Sequence, residues 1–560
     1  MIKHLYTFIL LLSFVPFASS QIINIMDADL QGGQAYTWTK NNTYLLDGLV
    51  FLEEGGILNI EAGTVIKFTP RADVGNPSAL IITRGAKIYA EGTVENPVIF
   101  TAEADDVNDP FDLGPTDNAL WGGIVLLGHG VTQKNGNAEV NIEGIDLSEV
   151  RGAYGGDDNT DNSGVLRYVS IRHGGRQIVS GSELNGLSLG AVGSGTTLEY
   201  IEVYANSDDG IEFFGGAPNL KYAVVAFTED DSYDWDEVFV GKGQFWFSIQ
   251  RSDIADAGGE LDGTTPDDLV PYSHPTVFNW THIGSGAGAV ASNPVGWLLR
   301  AGTAGMIANS IVTDMKNKAI EVQDKNAGTN DAHQKLLSGE LTLPGNLFWT
   351  IGANTTLDAT GTGIIRVTSG QPTQDDPDAS DLIAHLVANN STIANPGIRS
   401  ISREQNNNLD PRPSWSGAAY TNARADYPQG DAFFTPVNYI GAFSADGNAF
   451  WLNDWTTLYR NDHLADILSS VREVADNSID NRIRIYPNPS PEGASITIES
   501  EFDGSLRIEL YNIEGRLIRV FDDLSSGKAN IDVRSAQKGI YLIKCITEDH
   551  RVAGKIIIIE

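Results

Sequence analysis

Residues 197–250 read TLEYIEVYANSDDGIEFFGGAPNLKYAVVAFTEDDSYDWDEVFVGKGQFWFSIQ, and they contain one unit written twice with a third beginning. Leu198-Glu199-Tyr200 recurs 22 residues later as Leu220-Lys221-Tyr222. The same offset carries Asp208-Asp209 onto Asp230-Asp231, Ile211 onto Tyr233, Glu212 onto Asp234, Phe213 onto Trp235 and Phe214 onto Asp236. A third copy, Phe245-Trp246-Phe247-Ser248-Ile249, is read at an offset of 24 residues from Tyr222, and Leu166-Arg167-Tyr168-Val169-Ser170-Ile171 precedes the first by 32. A repeat this short, built of β-branched runs and glycine turns, is too small for a helical pair and fits one coil of a stacked β-solenoid. Side chains alternate in Tyr233-Asp234-Trp235-Asp236, so the aromatics fall on one face and the carboxylates on the other. Stacking then places Ile211 against Tyr233 and Phe213 against Trp235 in the core, with Glu212 beside Asp234 outside. The expected fold class is all-β: a parallel β-helix, right-handed by the general preference of parallel crossovers, followed by a small C-terminal Ig-like β-sandwich.

Outward from this stretch the cadence continues. Residues 45–69 and 79–102 are short alternating strands with glycine turns, and Trp121-Gly122-Gly123-Ile124-Val125-Leu126-Leu127 adds another. Two polar segments, Glu103 to Asn118 and Gly152 to Ser163, read as loops. Further strands are expected at Thr276–Ile283, Gly296–Leu299, Met306–Val312 and, closing the series, Ala319–Val322. The β-helix is thus assigned to 21–324. Residues 325–461 lose the period; they hold one expected helix, Ser380 to Asn389, and aromatic runs near Tyr439–Phe443 and Phe450–Trp455 suited to capping the solenoid's open end. A helical linker is expected over 462–482, from the spacing of Leu464, Ile467, Leu468, Val471 and Val474.

The first twenty residues combine Lys3, an apolar run to Phe17 and Ala18-Ser19-Ser20, which reads as a secretory signal peptide (1–20) with the mature chain starting at Gln21. No further segment reads as membrane-spanning, and no cysteine at the cleavage site offers a lipid attachment point. The lone Cys545 cannot form an intrachain disulfide, so stability rests on packing. A formal charge of −36 excludes nucleic acid and anionic membranes as partners and favours retention of divalent cations.

Residues 483–560 carry about seven short strands with close turns. Tyr486-Pro487-Asn488-Pro489, Leu510-Tyr511-Asn512-Ile513-Glu514-Gly515-Arg516, Gly539-Ile540-Tyr541-Leu542-Ile543 and Gly554-Lys555-Ile556-Ile557-Ile558 resemble the C-terminal sorting domain of type IX secretion cargo. The resemblance implies recognition of Ile483 to Glu560 by the type IX machinery of a Bacteroidota-type bacterium and a secreted or cell-surface location. The body is similar to exported β-helix proteins of the same bacteria through DDGIEFFGG, GKGQFWFSIQ and DPRP, a group from which no activity carries over.

The chemistry suggested by the residues is acidic. Asp208, Asp209, Glu212, Asp230, Asp231, Asp234 and Asp236 fall on adjacent coils about 4.8 Å apart, where two charges repel by about 3–4 kcal/mol at an effective dielectric of 20. Such a ladder takes up a cation, for which Ca2+ is the natural choice, or raises its own pKa values; the plainer alternative is a solvated acidic edge. Asn206-Ser207-Asp208 with Asp230-Asp231 resembles the polygalacturonase-type hydrolases, yet Gly128-His129-Gly130 precedes rather than follows, and no Arg-x-Lys follows. A polysaccharide lyase would need a basic proton abstractor, with Lys242 or Arg251 available beside Asp209, unless these serve as salt-bridge partners of Asp253 or Asp236. His129, His173 and His282 read as hydrogen-bonded stack or turn residues. The sequence therefore points to a β-helix binding an extracellular polysaccharide or acting as an adhesin. The alternative is a calcium-assisted lyase or glycoside hydrolase acting on an acidic polysaccharide.

Overall fold

The computed structural model describes residues 21–71, 76–177, 184–267, 269–291, 295–325, 330–361, 363–368, 379–446 and 450–465, and, in the C-terminal part, 483–487, 490, 495–500, 506–512, 517–524, 528–533, 538–547 and 552–559. The expected signal peptide and most of the expected linker helix lie outside these residues.

The repeat folds as a parallel β-helix. Leu198 pairs with Leu220 and Ile201 with Ala223, and the earlier copy sits above them with Leu166 on Leu198. Ala223 pairs with Trp246, so the next coil is 23 residues on, one fewer than the sequence reading assigned. One sheet of ten strands runs from Leu49–Leu52 to Ile365–Thr368 and contains Ile211–Phe214, Tyr233–Asp236 and Gly259–Asp262; a second, of seventeen, holds the long strands Gly164–Arg172, Thr197–Tyr204, Asn219–Ala226, Lys242–Ile249 and Thr276–Ile283. Each long strand bends at one left-handed residue, and these stack as a column of Tyr168, Tyr200, Tyr222, Phe245, Asn279 and Asn309, with φ between 48° and 60°. The rings in that column stack face to face, at 4.3 Å between Tyr168 and Tyr200 and 4.4 Å between Tyr200 and Tyr222; the contacts offset a backbone conformation that bulky residues ordinarily avoid.

Aromatics fill the interior. Trp246 stacks on Tyr233 at 4.6 Å, and glycines make room for the large rings: a Cβ on Gly243 would lie 2.5 Å from Trp246, and one on Gly259 2.7 Å from Trp280. Three of the buried ring heteroatoms are tied off, Trp246 Nε1 donating to the Leu220 carbonyl (3.0 Å), Trp280 Nε1 to Ser248 Oγ (3.1 Å) and Tyr233 OH to the Phe247 carbonyl (3.0 Å).

Two features depart from expectation. Solenoid pairing does not stop at Val322: Leu347–Ile351 stacks on Ile311–Met315, Ile365–Thr368 on Lys318–Gln323, and Thr392–Ile393 on Leu347–Phe348. The helix Ser380–Ala388 lies among these last strands, its Leu382 and Leu386 joining the interior core. The aromatic segments after residue 430 also do not cap an end. Phe443, Phe450, Leu452, Trp455, Leu458 and Leu464 form a strap on the flank, packed against the outward side chains Tyr204, Val224, Ala226, Phe247, Ile249 and Ile283. Those outward positions are apolar, so the cover is needed along the flank rather than over the end.

Among the described residues the C-terminal part has seven strands in two antiparallel sheets, one of three (Ile483–Tyr486, Ser495–Ser500, Lys528–Asp532) and one of four (Leu506–Asn512, Leu517–Leu524, Gly539–Thr547, Val552–Ile559), the strand content expected of a small sandwich. Among the described residues no helix is long and apolar enough to cross a membrane.

Candidate acidic site on the ten-stranded sheet

On the outer face of the ten-stranded sheet one register column reads Phe51, Ile81, Val125, Ser188, Glu212, Asp234, Glu260, and the next Leu127, Gly190, Phe214, Asp236, Asp262, Arg300. Both turn from apolar to acidic along the stack. The apolar part is covered by the insertion after residue 128, whose Ile142, Ile145 and Tyr154 pack on Phe51, Ile81, Val125, Leu127 and Phe214. The acidic part starts where that cover ends. Glu260 and Asp262 belong to the ladder although the sequence reading missed them; their signal was the alternation Gly259-Glu260-Leu261-Asp262, which repeats that of Tyr233–Asp236 one coil on.

The turns leading into these strands add a second acidic row. Asp209 Oδ1 accepts the Asp231 N–H at 2.9 Å, and Asp231 Oδ1 accepts the Ala257 N–H. Asn206 braces the first turn by donating Nδ2 to the Asp209 carbonyl at 2.8 Å, and Gln250 does the same for Asp256 two coils later, also at 2.8 Å.

The ladder is not the solvated edge that is the plainer expectation. Asp231 is only 2% exposed, Asp209 7% and Glu212 8%; Asp208, Asp234 and Asp236 are half-buried, and Asp230 alone of the seven is exposed. Carboxylate oxygens of Asp208, Asp209 and Asp230 all lie within 4.8 Å of one another, as do those of Asp209, Glu212 and Asp234, so Asp209 is common to two triads. Asn185 Nδ2 donates to Glu212, whereas Asp234 Oδ1 is shielded from solvent with no hydrogen-bond partner. Burial, reinforced by neighbouring carboxylates, pushes the carboxyls of Asp209, Glu212, Asp231 and Asp234 well above their ordinary range. Burial and then Glu237 raise Asp236 to about 6. Asp262 is raised by burial to about 7, with Arg300 opposing the shift.

Arg300 ends the acidic run, its Nε 2.7 Å from Asp262 Oδ1 and its Nη2 paired with Glu260. The two bases considered for a lyase are engaged in ion pairs: Lys242 with Asp431, and Arg251 with Glu229 (2.7 Å) and Asp253 (2.6 Å). The pairing of Arg251 with Asp253 is as expected; Lys242 finds Asp431 on the strap rather than Asp236. His282 lies within its strand, Nδ1 2.8 Å from Ser248 Oγ, and His173 Nδ1 meets the Asp117 carbonyl, both in structural hydrogen bonds.

The oxygens of each triad, all within 4.8 Å of one another, lie close enough together to share one ion. The donors are all oxygen, without the nitrogen or sulfur that zinc prefers. Asp208, Asp209, Glu212, Asp230 and Asp234 thus fit a hard divalent cation.

Residues 31–384 match the pectate-lyase-like β-helix domain family, and the chain belongs to that family. Residues 484–559 match the secretion system C-terminal sorting domain. The chain is therefore a β-helix protein sorted by type IX secretion, exported to the cell surface or released, and its sorting domain engages that machinery. Comparison with curated proteins and with solved structures returns no match.

Proposed function

We propose that the acidic ladder binds calcium and that the exported β-helix uses the bound ion to hold an anionic extracellular polysaccharide, as an adhesin-like binding protein without catalysis. The observation that carries this reading is the pair of carboxylate triads sharing Asp209. Unneutralised, charges at that spacing repel by about 3–4 kcal/mol per pair at an effective dielectric of 20. A divalent ion removes that repulsion. Asp208, half-buried, and Asp230, exposed, leave the triad they form with Asp209 an accessible side on which a sugar carboxylate can complete the coordination. Binding is favoured over cleavage because Lys242 and Arg251 are both held in ion pairs.

The test is retention of uronate-containing and neutral polysaccharides by the purified mature chain, in calcium and in chelator. Calcium-dependent retention of the anionic polymers, lost in Asp209→Asn combined with Asp234→Asn, is the expected result. Equal retention in chelator would refute the calcium bridge. New reducing or unsaturated chain ends would establish an enzyme in place of a binding protein.

A further inference from the structure

The strap is held on the flank in an unusual way, by solenoid side chains that read its backbone. Gln244 accepts the Thr435 N–H with Oε1 at 2.8 Å and donates Nε2 to the Thr435 carbonyl at 2.8 Å. Asn309 repeats the arrangement two coils away, accepting the Ala425 N–H at 2.7 Å and donating to the Ala425 carbonyl at 3.0 Å. Between them Asn279 donates to the Tyr439 carbonyl (3.2 Å) and accepts the Tyr427 hydroxyl (2.7 Å). Lys221 adds the Phe433 carbonyl at 2.7 Å. A primary amide is the side chain able to offer donor and acceptor together, so it can pair with the N–H and C=O of one residue as a neighbouring strand would. Asn279 and Asn309 occupy the left-handed bend column, where asparagine is at home and its short side chain is thrown outward.

Contacts of this kind depend little on which side chains the occupant carries. Specificity comes instead from apolar anchors, among them Phe434 against Phe278, at 5.1 Å between ring centres, and Phe443 against Phe247, also at 5.1 Å. Backbone pairing with spaced anchors is how grooves hold extended peptides.

We infer that the bend column and the flank beside it form a peptide-binding groove. Its occupant is the chain's own segment 424–446, a docked arm that can leave and return while the coils stay folded. The groove is independent of the calcium reading, since it shares no residue with the acidic ladder.

The test is hydrogen exchange on the mature chain in rising urea. Segment 424–446 is expected to lose protection at urea concentrations where the coil strands at 197–204, 219–226 and 242–249 keep theirs. Gln244→Ala with Asn309→Ala should speed exchange in 424–446 by about tenfold or more, leaving the coils unchanged. As a second measurement, a fluorescent peptide of sequence 424–446 added to the wild-type chain at that intermediate urea should be taken up and compete with the resident arm. Loss of protection by arm and coils in a single step, or failure of the peptide to enter, would overturn the proposal.

Discussion

At the scale of single residues, the site's character follows from burying like charges together. Asp236, with its pKa near 6, and Asp262, near 7, stand above the ordinary aspartate value of 3.8, and burial is the leading cause for both. A carboxyl that holds its proton more tightly when folded than when unfolded favours the folded state at low pH. Between the unfolded and folded pKa values the native chain binds more protons, so stability falls as pH rises from about 4 to about 7 and then levels off. The melting temperature measured in chelator should therefore decline across that window. Calcium, which replaces protons as the neutralising charge, should shrink the decline and add about 2.7 kcal/mol at a hundredfold excess over its dissociation constant. Asp209→Asn with Asp234→Asn should remove the calcium effect while leaving the decline carried by Asp236 and Asp262, readable in melting curves collected with and without the ion. Glu202 illustrates the opposite arrangement. It is fully buried yet accepts the Thr457 N–H at 2.7 Å, the Thr457 hydroxyl at 2.8 Å and the Ser170 hydroxyl at 2.7 Å. Donors surround this carboxylate, and Glu202→Gln should cost about 2–4 kcal/mol in urea unfolding, because an amide turns donors toward donors.

At the scale of the coil, each turn of the solenoid exchanges bulk with its neighbours. Gly243 and Gly259 leave the gaps that the rings of Trp246 and Trp280 fill, the first pair within one strand and the second between successive strands. Removing Trp246 opens a large cavity, unstacks Tyr233 and leaves the Leu220 carbonyl without its indole donor. Trp246→Ala should therefore lower stability by about 3–5 kcal/mol or more. Because a solenoid transmits damage mainly to adjacent repeats, hydrogen exchange should show the loss concentrated in the coils around 197–283, with the strands at 57–68 little affected.

At the scale of the whole molecule, two separate covers shape the surface. The insertion seals the apolar stretch of the ten-stranded sheet and the strap seals the flank of the other, while the acidic ladder lies beyond the insertion and is closed by Arg300. The sorting domain has buried side chains of its own, among them Ile496, Ile498, Ile508, Leu510 and Ile543. Removing residues 483–560 should consequently abolish passage across the outer membrane and leave a folded β-helix in the periplasm. Fractionation and limited proteolysis of the truncated chain check both halves of that expectation; normal surface display without the domain would contradict it.

Much was legible in the chain itself. The repeat at 197–250, the inward aromatics and outward acids of Tyr233–Asp236, the helix near 380–388 and the sorting tail are all written in local spacing, because solenoid coils and alternating strands are set by neighbours a few or about 22 residues away. The register slip at Trp246 and the omission of Glu260 arose where the coil length changes and spacing alone loses its reference. Contacts distant in sequence were decided by the tertiary structure. Glu202 meets Thr457 across 255 residues, Gln244 meets Thr435 across 191 and Lys242 meets Asp431 across 189, and no periodicity encodes such pairs. Spacing could put seven carboxylates on adjacent coils, but only the folded stack shows how deeply they are buried. That burial is what turns an ordinary acidic edge into a place where charge must be neutralised, since a carboxylate's cost depends on how much water its neighbours remove.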